Sequence, residues 1–118
     1  MAIPSGSGSE VLKRVAGTVD GANASVLTVA ANHICIILSI NITNTSNNTT
    51  DMYIYANNGS ADLDIAQKNM SYNGGLDGKE TFIYNDKLVL YPADVLKIQE
   101  DGSGQFEYWV SYIEQDWS

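Results

Sequence analysis

The chain has 118 residues, of which 14 are acidic and 6 basic, for a formal net charge of −8. This size suits one compact domain, and the acidic balance argues against a nucleic-acid surface or an anionic membrane surface, both of which need clustered Lys and Arg. The single cysteine, Cys35, excludes an internal disulfide, and no apolar stretch approaches the roughly 20 residues that span a bilayer.

In chain order, Met1 to Glu10 lacks the basic start and apolar middle of a secretory signal, so a soluble protein made in the cytoplasm is expected. Residues 1–10 read as an extended, flexible arm rich in Gly and Ser, with Ile3 and Pro4 as its two anchor-like residues. Residues 11–118 read as one β domain. Val11 to Ala16 allows a single helical turn, but Val15, Gly17, Thr18 and Val19 favour strand. Ile34, Ile36, Leu38, Ile40 and Ile42 alternate with Cys35, Ile37, Ser39, Asn41 and Thr43, which predicts a strand with one apolar face. Burial of five such side chains about offsets the entropy of ordering the strand, so a second layer must cover it.

Asn44 to Thr50 reads as a solvated turn. Met52 to Ala56 resumes as a strand, with Tyr53 and Tyr55 on one face and Ile54 on the other. Leu63 and Ile65, alternating with Asp62, Asp64 and Ala66, suit a half-exposed strand. Glu80 to Tyr84 and Lys87 to Tyr91 read as a hairpin turning at Asn85-Asp86. Val95 to Gln99 follows. The last strand places Phe106, Tyr108, Val110 and Tyr112 on one face and Glu107, Trp109, Ser111 and Ile113 on the other. Turn signals every 8–12 residues, without a 3.6-residue period, predict an all-β fold: a single sandwich, jelly-roll-like, of roughly eight strands.

Chemistry-bearing residues are sparse. His33 and Cys35 share a strand face, yet nothing supplies a third group or an oxyanion site, so no catalytic residue is assigned. Two Cys and His ligands are too few for zinc, and no calcium-loop pattern occurs, so no metal or cofactor is expected. Asp62, Asp64, Asp51, Glu100 and Asp101 read as solvated acids rather than a glycosidase pair. Asn-x-Ser/Thr triplets at Asn23, Asn41, Asn44, Asn47, Asn48, Asn58 and Asn69 reflect the abundance of Asn and Thr. Seven tyrosines and two tryptophans suit surfaces that become interfaces, or platforms for sugars. Trp117 is expected to pack on the domain or on a partner.

The segments MAIPSGSGSEVLKR, ANHICIILSINITNTS, FIYNDKLVLYPADVLKIQ and VSYIEQDWS resemble small virion proteins of tailed phages, particularly of marine cyanophage type. The resemblance covers most of the chain and implies a non-enzymatic structural protein. The expected role is capsid decoration: a cement protein, trimeric, on the outer capsid surface, bridging subunits of the major capsid protein. Ile3, Pro4, Lys13, Arg14, Tyr53, Tyr55 and Trp117 are its candidate docking residues. The alternatives are a neck, tail, baseplate or fibre-attachment component, and a carbohydrate-binding module for host attachment.

Overall fold

The computed structural model describes residues 9–117, and among them the chain forms nine strands and no helix. They are β1 (Ser9–Val19), β2 (Asn23–Thr28), β3 (His33–Asn44), β4 (Asp51–Asn57), β5 (Asp62–Lys68), β6 (Thr81–Tyr84), β7 (Leu88–Leu90), β8 (Val95–Asp101) and β9 (Phe106–Asp116). The first sheet has the order β1-β9-β3-β6, with β7 also on β3, and the second has the order β2-β8-β4-β5. All pairings are antiparallel. The chain therefore passes repeatedly between two facing sheets, the all-β sandwich with jelly-roll-like connections that the sequence predicts.

Both inner faces meet in one apolar core. Ile37, Ile40, Ile42, Val110 and Phe106 come from the first sheet and Met52, Ile54, Leu96 and Ile98 from the second, all fully buried. Leu76, in the connection after β5, closes the core through a bridge to Thr50.

The structure corrects several sequence expectations. β3 does not keep one phase. A bulge between Ile37 and Ser39 inserts Leu38 as an unpaired residue opposite β9. Before the bulge Cys35 and Ile37 point into the core, and after it Ile40 and Ile42 do. Ile36 and Leu38 consequently face outward, against the simple alternation.

β6 and β7 are not a hairpin. Both run antiparallel to β3, through Ile40–Thr43 and Cys35–Ile37 respectively, so they are two pieces of one interrupted strand. Asn85-Asp86 is the interruption rather than a reversal. β2 lies in a stretch without a clean period, because a bulge between Ser25 and Leu27 breaks its alternation. β1 begins at Ser9, so Ser9 and Glu10 are strand residues paired with Asp116 and Gln115 rather than part of the arm. The helical turn considered at Val11 to Ala16 is strand throughout.

The segment 44–50 is not uniformly solvated: its ends, Asn44 and Thr50, are fully buried. The Asn44 amide donates to the carbonyls of Asn48 and Leu76, and its oxygen accepts from the Ser46 backbone and hydroxyl. Glu100 is buried rather than solvated. Its carboxylate accepts from the backbone N–H groups of Gly21 and Gly104 and from the Thr50 hydroxyl. One side chain thus ties together the β1–β2, β3–β4 and β8–β9 connections at one end of the sandwich.

Candidate functional site

The outward face of the first sheet departs most from a plain solvated surface. Register aligns residues into rows that cross it. Leu12 of β1 lies opposite Ile113 of β9, which lies opposite Ile36 of β3, which lies opposite Val89 of β7. This row is apolar across four strands, with Leu12 72% and Val89 54% exposed. A sheet with one solvated face normally carries polar residues there. Ile83 and Trp109 add exposed apolar area on the same sheet, and Tyr91, just after β7, is exposed too. The bulge in β3 contributes to this surface, since it turns Ile36 and Leu38 outward.

Farther along the strands the chemistry changes. Ala16, Trp109, Asn41 and Ile83 form one row, and Thr18, Glu107, Thr43 and Thr81 form the next. The guanidinium of Arg14 lies over the Trp109 ring, 4.5 Å from its centroid, a cation–π contact that occupies one face of the indole.

The residues expected to dock are dispersed. Ile3 and Pro4 lie outside the described residues. Lys13 is an edge-strand residue whose Nζ is 2.7 Å from Glu114 Oε1; that carboxylate holds the ammonium above its usual range. Arg14 is occupied by Trp109. The two basic residues are therefore already engaged within the chain.

Tyr53 and Tyr55 stack on the opposite, second sheet, with centroids 5.8 Å apart, and Asn69 donates to the Tyr53 hydroxyl. Desolvation raises both phenols above their usual range. Trp117 is half-buried, its backbone N–H bonded to the Asn32 carbonyl and its indole N–H to Gln115 Oε1. Sequence reasoning did not single out Leu12, Ile36, Val89, Ile113 or Trp109 as docking residues. The detectable signal was the surplus of apolar residues from Ile34 to Leu38, more than one strand face can bury.

The arrangement offers little to nucleophilic chemistry. The Cys35 thiol is fully buried and pushed up to about 11, chiefly by desolvation and then by Glu114. The His33 Nδ1 lies 2.7 Å from the Ala31 carbonyl. Asp62 is exposed and held below the usual carboxylate range by Asn57 and Lys97. Among the described residues no group of three or more His, Cys, Asp or Glu is placed to hold a metal ion.

No protein-family model matches the chain, and no curated protein matches it. Among solved structures it is similar to a chain described under "Bacillus endospore appendages form a novel family of disulfide-linked pili". The two share 11% sequence identity and superpose with a TM-score of 0.54 over 100% of this chain and 97% of that one. At that identity the likeness is one of fold, an all-β sandwich carried over the whole length of both chains.

Proposed function

We propose that this chain is a non-enzymatic structural subunit that works by docking into a larger assembly. In its specific form it is a decoration protein of a tailed-phage head, made in the host cytoplasm. It sits as a trimer on the outer capsid surface and bridges neighbouring copies of the major capsid protein. The observation that carries the docking reading is the exposed apolar row Leu12–Ile113–Ile36–Val89. A contiguous apolar strip on a solvated sheet face is costly unless a partner covers it. The sequence resemblance supplies the phage assignment, and the net charge of −8 suits a surface that must not bind packaged DNA.

The test is the copy number of this chain in purified particles relative to the major capsid protein. A ratio near one, or a simple fraction such as one in three, is expected. A far smaller ratio moves the chain to the neck, tail, baseplate or fibre attachment. Absence from particles overturns the virion reading.

A second reading, a repeating subunit of a surface fibre, is favoured by the full-length likeness to a pilus chain. Here the link would differ: Cys35 is the single cysteine and is buried, so a fibre of this chain would be held without disulfides. Filaments in electron micrographs of the purified chain support this reading, and a monodisperse small oligomer excludes it.

A further inference from the structure

The outward face of the first sheet has a second half that apolar docking does not explain. Beside Trp109 lies an open depression of about 760 Å³, lined by Ala16, Thr18, Asn41, Thr43, Thr81 and Glu107 along with the indole itself. We propose that this trough is a binding site for a neutral saccharide, with Trp109 as the stacking platform and Asn41 and Glu107 as the hydroxyl-reading groups.

Three observations converge. First, Trp109 is 47% exposed, and Arg14 is paired with Ser111, two residues along β9 in the direction away from the trough. Glu107 is two residues along in the other direction. Arg14 therefore supports the indole from one side and leaves the trough side for a ligand. An aromatic face of this kind takes the apolar C–H face of a pyranose ring.

Second, the polar groups around it are available. Among the described residues, neither the Asn41 amide nor the Glu107 carboxylate has a hydrogen-bond or ion-pair partner. Asn41 and Glu107 are diagonal neighbours on β3 and β9, on either side of the row boundary, and an amide and a carboxylate so placed donate to and accept from hydroxyls of one sugar. Thr43 and Thr81 hold each other's hydroxyls at 2.8 Å, which fixes the far wall of the trough.

Third, the dimensions and charge select the ligand class. Four strands wide and two side-chain rows long, the trough measures about 14 Å by about 7 Å, room for a mono- or disaccharide. Among the described residues Glu107 is the one charged group lining it, with Arg14 held on the other side of the indole, so the trough itself is negative and favours a neutral sugar over a uronic acid, a sialic acid or a phosphate.

The test uses the full chain carrying Trp117→Phe, which leaves Trp109 as the only indole. Methyl glycosides of the common neutral hexoses, and their disaccharides, are titrated while fluorescence is followed. A saturable change with at least one of them is expected, in the millimolar range that weak saccharide sites show. Trp109→Ala, in a chain that keeps Trp117 and is followed by amide NMR, should lose binding at least about tenfold. Trp109→Phe should retain part of it, and Asn41→Ala should weaken it without unfolding the chain. A flat response across the whole panel overturns the proposal. So does binding that survives Trp109→Ala, or the finding that Trp109 is covered by a second copy at micromolar protein concentration.

Discussion

The hydroxyl of Thr50 donates to the carboxylate of Glu100 inside the closed end of the sandwich. Because the same carboxylate also receives the N–H groups of Gly21 and Gly104, it acts as a staple for three connections at once. Glu100→Ala leaves the buried Gly104 N–H without an acceptor, leaves the Thr50 hydroxyl only the Asp101 carbonyl at 3.2 Å and releases the Gly21 N–H to solvent, and should destabilise the fold by about 2–4 kcal/mol. Glu100→Gln keeps the shape but replaces one acceptor oxygen by a donor, and should cost about 1–3 kcal/mol. Denaturant unfolding checks both. Amide exchange should speed up selectively at Gly21 and Gly104.

The bulge in β3 makes an inverted pair of expectations. Ile37→Ala should cost about 2–5 kcal/mol, as for a fully buried aliphatic residue. Ile36→Ala, on the outward face, should cost roughly 1 kcal/mol. Uninterrupted alternation through Ile40 predicts the opposite order. Equilibrium unfolding of the two variants separates these cases, and a larger loss at Ile36 would remove the bulge.

Cys35 should be inert in the native state and should shape alkaline stability. The folded thiol keeps its proton up to about 11, whereas an exposed thiol loses it near 9.0. Between those values the folded chain holds more protons than the unfolded chain, so stability falls as pH rises from about 9 to about 11. Tyr112, raised by the same desolvation, adds to this fall. The Cys35→Ala variant should therefore show a shallower decline over that window than the parent. A thiol-reactive dye at pH 8 should label the parent only after unfolding.

Gly78 meets the Asn47 backbone so closely that a Cβ would lie 2.5 Å from the Asn47 carbonyl carbon. Backbone cannot step aside as a flexible side chain can, and Gly78→Ala should cost about 1–3 kcal/mol. Gly21 has open space around the same position and a φ of +61°, so Gly21→Ala should cost only about 1 kcal/mol, from backbone strain alone. Thermal unfolding of the two variants measures the difference.

Much of this fold can be read in the residues. The alternation from Phe106 to Ile113 places Tyr108 and Val110 inside and Trp109 outside, as the sheet has them, and Tyr53, Ile54 and Tyr55 divide between faces as expected. Legibility fails wherever period two is interrupted. The bulges at Leu38 and between Ser25 and Leu27 shift the phase without a Gly or Pro to mark them. Asn85-Asp86 has the composition of a hairpin turn, but strand direction is set by which edge of β3 remains open, a tertiary fact. Glu100 reads as one more acid in a loop, because its three donors come from connections distant in sequence. The outward apolar row was hidden for a related reason: its four members lie on four strands, and only register brings them together.

Ser9 and Asp116 are register partners, so the start of β1 and the end of β9 leave the sandwich at the same corner. Hydrogen bonds of an antiparallel pair lie across the strands, which makes the response to force depend on direction. A pull that separates the two chain ends opens the β1–β9 ladder one rung after another, like a zip. A pull on the residues before Ser9, with the body anchored through the opposite end of the sandwich, loads all eleven paired positions of β1 together in shear. Tethered that way, the subunit resists tension with its longest uninterrupted ladder, and the same molecule peels easily when tugged by both ends.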